Sequence, residues 1–156
     1  MDNNMANNDT KIINHSITRL LARREHCQTE IVNKLRAKGF DEKLVKQQLQ
    51  LFVDKNIQSD ARYVESYIRS KANSGQGKQR ILMALQTQDI DENVINQGFE
   101  QAETDFYDNA VKVYQKKYTD KPIVDWQDKQ KRMRFMQYRG FSTQQIDFVF
   151  KNGQGE

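Results

Sequence analysis

The stretch Glu30-Ile-Val-Asn-Lys-Leu-Arg-Ala-Lys-Gly-Phe-Asp41 reads as a helix, a tight turn and the start of a second helix. Gly39 can take the left-handed conformation that ends a helix, and Asp41 can accept from the free amides that open the next. The pattern returns as Arg80-Ile-Leu-Met-Ala-Leu-Gln-Thr-Gln-Asp-Ile-Asp91 and again as Arg132-Met-Arg-Phe-Met-Gln-Tyr-Arg-Gly-Phe-Ser142. Phe40, Ile90 and Phe141 in the aligned turns lie 50 and 51 positions apart, a period typical of arrays of small supersecondary units. Gly140 repeats the stop signal, Asp91 and Ser142 repeat the start signal, and Ser142 with Gln145 forms a capping-box pattern.

Working outward, each copy is preceded by another amphipathic stretch, marked by Ile17, Leu20 and Leu21, by Ala61, Val64 and Ile68, and by Ala110, Val113 and Tyr114. It is followed by a third stripe: Leu44, Val45, Leu49 and Phe52, then Val94, Ile95, Phe99 and Ala102, then Ile146, Val149 and Phe150. Each unit is therefore three helices. A unit of this size has a marginal core alone, so neighbours must pack on one another. The expected fold is all-α, three tandem three-helix repeats stacked into an elongated curved array. The repeats span 13–58, 59–105 and 106–156, after a disordered tail over 1–12. Asn73-Ser74-Gly75-Gln76-Gly77 reads as the loosest loop inside a repeat, able to let the flanking basic helices swing. The segment Tyr118 to Asp125, with the single proline, interrupts the third unit.

Composition narrows the function class. Apolar residues make up 37% of the chain and mean hydropathy is −0.93, which implies a thin core and a large wet surface. No apolar run approaches the roughly 20 residues of a membrane span, and Met1 to Thr10 lacks a signal-peptide core, so a cytoplasmic protein is expected. Cys27 cannot form an internal disulfide, and with only His15 and His26 to join it no metal site is expected. Gly75-Gln76-Gly77-Lys78 lacks the preceding strand, the glycine spacing and the following Ser or Thr of a phosphate loop. His26 beside Cys27 reads as a pair of turn residues rather than a thiolate nucleophile. Carboxylates are scattered over polar faces and caps. A binding protein without cofactors, not an enzyme, is the expectation.

The net charge of +4 is unevenly distributed. Between positions 62 and 80, Arg62, Arg69, Lys71, Lys78 and Arg80 face only Glu65. Lys129, Lys131, Arg132, Arg134 and Arg139 stand unopposed between 129 and 139, whereas 91–105 holds Asp91, Glu92, Glu100, Glu103 and Asp105. A face kept only for solubility would mix signs, so these stretches point to a partner with acidic groups or phosphates. Tyr63, Tyr67, Tyr114 and Tyr138 accompany them at helical spacing, which reads as core packing before base stacking.

The string from Asp60 to Ile81, holding Arg62-Tyr63, Tyr67-Ile68-Arg69, Lys71, Gly75, Gly77-Lys78 and Arg80, resembles the RecX family. So do Leu20-Leu21-Ala22-Arg23-Arg24-Glu25-His26, Lys34-Leu35-Arg36-Ala37-Lys38-Gly39-Phe40 and Arg134-Phe135-Met136-Gln137-Tyr138-Arg139-Gly140-Phe141. The resemblance covers about residues 13 to 151. It departs at Cys27, where a capping Ser is usual, at Asn56, where Gly is common, and at Asp89, where the other two repeats have Gly. The resemblance implies a regulator that lodges in the groove of the RecA recombinase filament on single-stranded DNA. Such a protein limits filament extension, ATP hydrolysis and strand exchange. Arg62, Arg69, Lys71, Lys78, Arg80, Arg134 and Arg139 are the expected partner-binding residues, bridging adjacent protomers of the filament. Direct or indirect contact with single-stranded DNA, no membrane and a monomeric state complete the reading. The alternative is a nonspecific nucleic-acid-binding helical protein, whose affinity for DNA would need no recombinase and would fall steeply with salt.

Overall fold

The structure, a computed structural model, describes the backbone of residues 2–152 and side chains from residue 4. Among the described residues are nine helices and no strand: α1 (Asp2–Arg23), α2 (Gln28–Ala37), α3 (Glu42–Asp54), α4 (Asp60–Asn73), α5 (Lys78–Gln86), α6 (Glu92–Ala102), α7 (Phe106–Tyr118), α8 (Trp126–Tyr138) and α9 (Thr143–Asn152). They form three units, α1–α3, α4–α6 and α7–α9. In each the first helix packs on the third and the second leans against them.

The expected boundary chemistry is in place. The Asp41 carboxylate accepts from the Leu44 amide at 3.1 Å and Asp91 accepts from Asn93 at 2.7 Å. Ser142 and Gln145 exchange both bonds of a capping box, at 2.9 and 3.2 Å. Asn56 and Asp89, the two positions where glycine was looked for, have φ of 59° and 54°. Both side chains tolerate the left-handed region better than most.

Three cores follow the stripes. The first gathers Ile13, Ile17, Ile31, Leu35, Val45 and Leu49, the second Val64, Ile68, Ile81, Leu85 and Ile95, and the third Ala110, Tyr114, Met136, Phe141, Ile146 and Val149. Two expectations fail locally. Ala61 is exposed, and the inward face of α4 begins instead with Tyr63, which is 4% exposed. Tyr138, read as core, is 74% exposed.

The tail over 1–12, expected to be disordered, is helical from Asp2 to residue 12; Met1 lies outside the described residues. No proline or glycine precedes Gly39 to stop the helix that Ile13 and Ile17 anchor. A Thr10 hydroxyl donates back to the Ala6 carbonyl at 2.8 Å.

The units are joined by two junctions of one design. At a helix N-terminus the first amides lack partners within the helix, and in α2 and α5 the following unit supplies them. Gln28 N donates to the Asp60 carboxylate at 2.9 Å and Thr29 Oγ1 to the Gln88 carbonyl at 2.7 Å. Gly77 N donates to the Arg139 carbonyl at 2.7 Å and Gln79 N to the Gly140 carbonyl at 3.0 Å. At the second junction the orphan amides that open α5 thus meet carbonyls just past the end of α8, whereas at the first a carboxylate and a hydroxyl make the connection. Residues also cross in the cores: Cys27 of the first unit and Phe106 of the third both sit in the second core. A compact protein of 18.4 kDa would expose roughly 8,200 Å²; this chain exposes 10391 Å², as an end-to-end array must.

The loop 73–77, expected to let the basic helices swing, is instead pinned. A methyl group on Gly77 would overlap the Gly140 carbonyl, and one on Gly140 would overlap Arg80. Only paired glycines allow this approach.

Candidate partner-binding surface

The seven cations singled out from the sequence divide into two groups. Arg62 is committed within the chain: Nε pairs with Glu25 Oε1 at 3.0 Å, Nη1 donates to Asn56 Oδ1 at 3.0 Å, and Nη2 donates to the Asn56 and Ile57 carbonyls at 2.9 and 3.0 Å. It stitches the end of α1 and the α3–α4 linker to α4. Arg69 donates from Nη2 to Glu65 at 2.9 Å and to the Gln101 carbonyl at 3.1 Å, tying α4 to the end of α6.

Among the described residues the other five have no ion pair. Four rest on aromatic rings, which leaves their charge facing outward: Lys71 on Tyr67 at 5.5 Å, Lys78 on Phe99 at 5.0 Å, Arg80 on Tyr138 at 4.9 Å and Arg139 on Phe135 at 5.4 Å. Arg134 is exposed on α8, one turn before Tyr138. The α5–α8 junction brings Lys78, Arg80 and Arg139 together, although 59 positions separate Arg80 from Arg139. Lys78 and Arg80 also occupy the first turn of α5, where the helix dipole disfavours cations. That turn holds no acid, whereas α2, α3, α4, α6, α7 and α8 each place a carboxylate there. Helix stability does not ask for this arrangement.

The basic run on α8 is less uniform than its sequence suggests. Arg132, read as unopposed, is 4% exposed and pairs with Asp128 at 3.1 Å. It donates to Tyr114 Oη at 2.8 Å and to the Lys121 and Pro122 carbonyls at 2.9 and 3.2 Å, with its guanidinium 4.5 Å from the Tyr118 ring centre. It is the internal post of the third unit. In exchange the fold adds cations the sequence reading passed over. A cleft of about 510 Å³ between the end of α4 and helices α7 and α8 is lined by Lys112, Lys116, Lys117 and Arg139. The signal available beforehand was the four-residue spacing of Lys112 and Lys116 on α7, which puts them on one face.

His26 and Cys27, read as turn residues, are 2% and 0% exposed and lie at the first junction. The Gln58 amide donates to the His26 carbonyl at 3.0 Å, and the Cys27 thiol lies 3.6 Å from Gln88 Oε1. Burial pushes the thiol up to about 12, so it stays protonated and is no nucleophile at neutral pH. Glu30 closes this helix end, accepting from Cys27 N at 3.2 Å. Among the described residues no group of three or more His, Cys, Asp or Glu is placed to hold a metal ion, and no helix is long and apolar enough to cross a membrane.

Comparison with known proteins agrees with this three-unit build. Models of the first, second and third three-helix domains of RecX match residues 17–49, 59–98 and 103–150, in that order. The chain belongs to the RecX family. It is 35% identical over 127 residues to the regulatory protein RecX of Pseudomonas entomophila, covering 81% of this chain and 82% of that one. It is also 35% identical over 136 residues to the regulatory protein RecX of Legionella pneumophila, covering 87% and 91%. The crystal structure of RecX from Lactobacillus salivarius superposes with a TM-score of 0.75 at 21% identity, covering 92% of this chain and 96% of that one. A second RecX crystal structure gives 0.77 at 21% identity, covering 92% and 73%. At that identity the solved RecX structures speak to the fold alone, and each superposes on 92% of this chain.

Proposed function

We propose that the chain is a cytoplasmic, non-enzymatic regulator of the RecA recombinase. It binds the RecA filament on single-stranded DNA and mainly inhibits its extension, ATP hydrolysis and strand exchange. The observation that carries this reading is membership of a family of regulatory proteins over all three units. The surface fits it: Lys71, Lys78, Arg80, Arg134 and Arg139 form an outward cationic face across the second and third units, suited to acidic groups on adjacent protomers. Arg62 and Arg69 serve this face indirectly, by holding α4 in place. A rigid α5–α8 junction lets one chain span two protomers without yielding, which resists their rearrangement.

The test is DNA-dependent ATP hydrolysis by RecA of the same organism, with this protein titrated in well below one-to-one. Inhibition by the native chain, weakened about tenfold or more by Lys78→Glu with Arg80→Glu at unchanged helicity, is expected. Absence of inhibition by the native chain overturns the reading, and full inhibition by the variant removes this face from it.

A further inference from the structure

We propose that copies of this chain join head to tail, with a knob formed by Val124 and Trp126 of one third unit seated in a notch on the first unit of the next copy. Trp126, the single tryptophan of the chain, is 71% exposed and Val124 is 79% exposed. Both lie where the segment that interrupts the third unit runs into α8. Exposed apolar side chains are ordinary when scattered, but this pair is held still. Val124 N donates to Asp128 Oδ2 at 3.2 Å, Asp125 caps α8 through the Asp128 amide at 2.7 Å, and the buried Arg132 grips the Lys121 and Pro122 carbonyls. A side chain already fixed in place loses little entropy on docking, and tryptophan is among the residues that most often anchor an interface. The end of α8 that makes the second junction is the other one, about 18 Å from Trp126 at 1.5 Å per residue, so the knob stands clear of the second unit.

The notch measures about 170 Å³ and is lined by Asn14 of α1, Leu51 and Phe52 of α3, and Lys55 and Ile57 just after it. Leu51 and Ile57 are about half exposed. An apolar cavity of about 150 Å³ takes a benzene-sized guest, so the notch has room for one ring. It also holds an unsatisfied acceptor. Asn14 Oδ1 is shielded from solvent and has no hydrogen-bond partner among the described residues. The terminal torsion of a carboxamide is broad, so a small turn presents this oxygen to an incoming donor.

The two patches complement each other. A tryptophan that leaves water needs an acceptor for its N–H, and a buried acceptor costs free energy until a donor meets it; Trp126 and Asn14 supply one of each. Lys55 is exposed on the rim, and Asp125 beside Trp126 brings a carboxylate to meet it. Knob and notch lie on the third and first units and are both exposed, so neither covers the other within one chain. Different surfaces on the two copies make the contact heterologous, and it propagates as an open chain or a ring instead of stopping at a dimer. The area is small, so free chains associate weakly. Copies held side by side on a partner built of repeating protomers gain far more from the same contact.

The experiment uses the full chain without RecA, so its outcome is independent of the proposed regulation. Sedimentation over a hundredfold range of concentration is expected to show the average mass rising, with the emission of Trp126 shifting to shorter wavelength in step. Trp126→Ala, and separately Leu51→Lys with Ile57→Lys, should each weaken association about tenfold or more. Asn14→Leu, which keeps the size and removes the acceptor, should weaken it less. Circular dichroism of each variant shows that the helices persist. Disulfide trapping extends the test to a weak contact, since the native Cys27 is buried and does not compete. A Val124→Cys chain mixed with a Leu51→Cys chain is expected to form a mixed dimer under oxidation, and one mixed with a Lys43→Cys chain, altered at the other end of α3, is not. A mass that stays constant together with no mixed dimer overturns the proposal. So does association that persists in both the knob and the notch variants, or trapping that favours Val124→Cys with itself, which marks a symmetric contact instead.

Discussion

At the scale of single residues, the side chains that matter most are those whose charge or size contradicts their surroundings. Arg132 is a buried cation whose fork is matched by Asp128, Tyr114 and two carbonyls. Lysine is a point charge on a flexible stem and cannot reproduce that fork. Arg132→Lys is therefore expected to cost about 2–3 kcal/mol by leaving buried acceptors unsatisfied. Chemical denaturation checks the size, and hydrogen exchange should show the loss first in α7–α9. Gly98 on α6 sits so close to α4 that a methyl group would overlap Val64, whose β-branched side chain has little rotamer freedom. Alanine would gain up to about 1 kcal/mol of helix propensity, but overpacking costs about 1–3 kcal/mol. Gly98→Ala should therefore lower the melting temperature, and a higher one would show that α4 and α6 can separate slightly.

His26 adds a pH dependence at the same scale. Its Nδ1 lies 3.1 Å from the Arg24 carbonyl and its Nε2 lies 3.3 Å from Lys34 Nζ. A neutral ring with its proton on Nδ1 satisfies both, donating to one and accepting from the other. Burial lowers the pKa, only partly opposed by the hydrogen bond to Arg24. The unfolded chain, with a histidine pKa of about 6.5, then takes up the proton first as pH falls. Stability contributed here is complete above about pH 6.5 and declines as pH drops toward the lowered folded value. Melting curves across that range should show the decline in the native chain and a smaller one in His26→Gln.

At the scale of elements, the junctions set how the helices add up. The amides that open α5 find carbonyls at the end of α8, so neither helix end is complete alone. Gly77→Ala forces those ends apart, at about 1–3 kcal/mol, and is expected to broaden or split the unfolding transition while each unit keeps its helices. A shift of one sharp transition would mean the junction tolerates the methyl group. At the first junction the same purpose is met by side chains, Asp60 on Gln28 and Arg62 on Glu25. Arg62→Met keeps much of the stem and removes the fork, so it should loosen the α1–α4 contact without emptying a core.

At the scale of the whole molecule, three small cores in a row behave as a nearly one-dimensional system, each depending on its neighbour for stability. Truncation after the second unit should expose the start of α5 and the rim around Phe106's site in the second core. Such a fragment is expected to melt well below the full chain, read by circular dichroism.

The sequence by itself determined the number of units, their order and the caps that open their third helices. A helix period, a glycine or aspartate at the turn and a capping residue after it are local signals, each acting within a few residues of its own position. Asp41, Asp91 and Ser142 cap where they were expected to, and Ile17, Val64 and Ala110 face inward for the same local reason. What only the tertiary structure decided is which charges are spent. Arg69 and Arg132 each have an acid four positions earlier, Glu65 and Asp128, that Lys71, Arg80 and Arg134 lack, but their other bonds, and those of Arg62, have no such signal. Their partners Glu25 and Gln101 lie more than 30 positions away, and the carbonyls of Lys121 and Pro122 carry no residue-type signal at all. An ion pair or a carbonyl bond across units depends on where two backbones meet. That meeting is set by close approaches such as Gly77 on Gly140, which no pattern of spacing encodes.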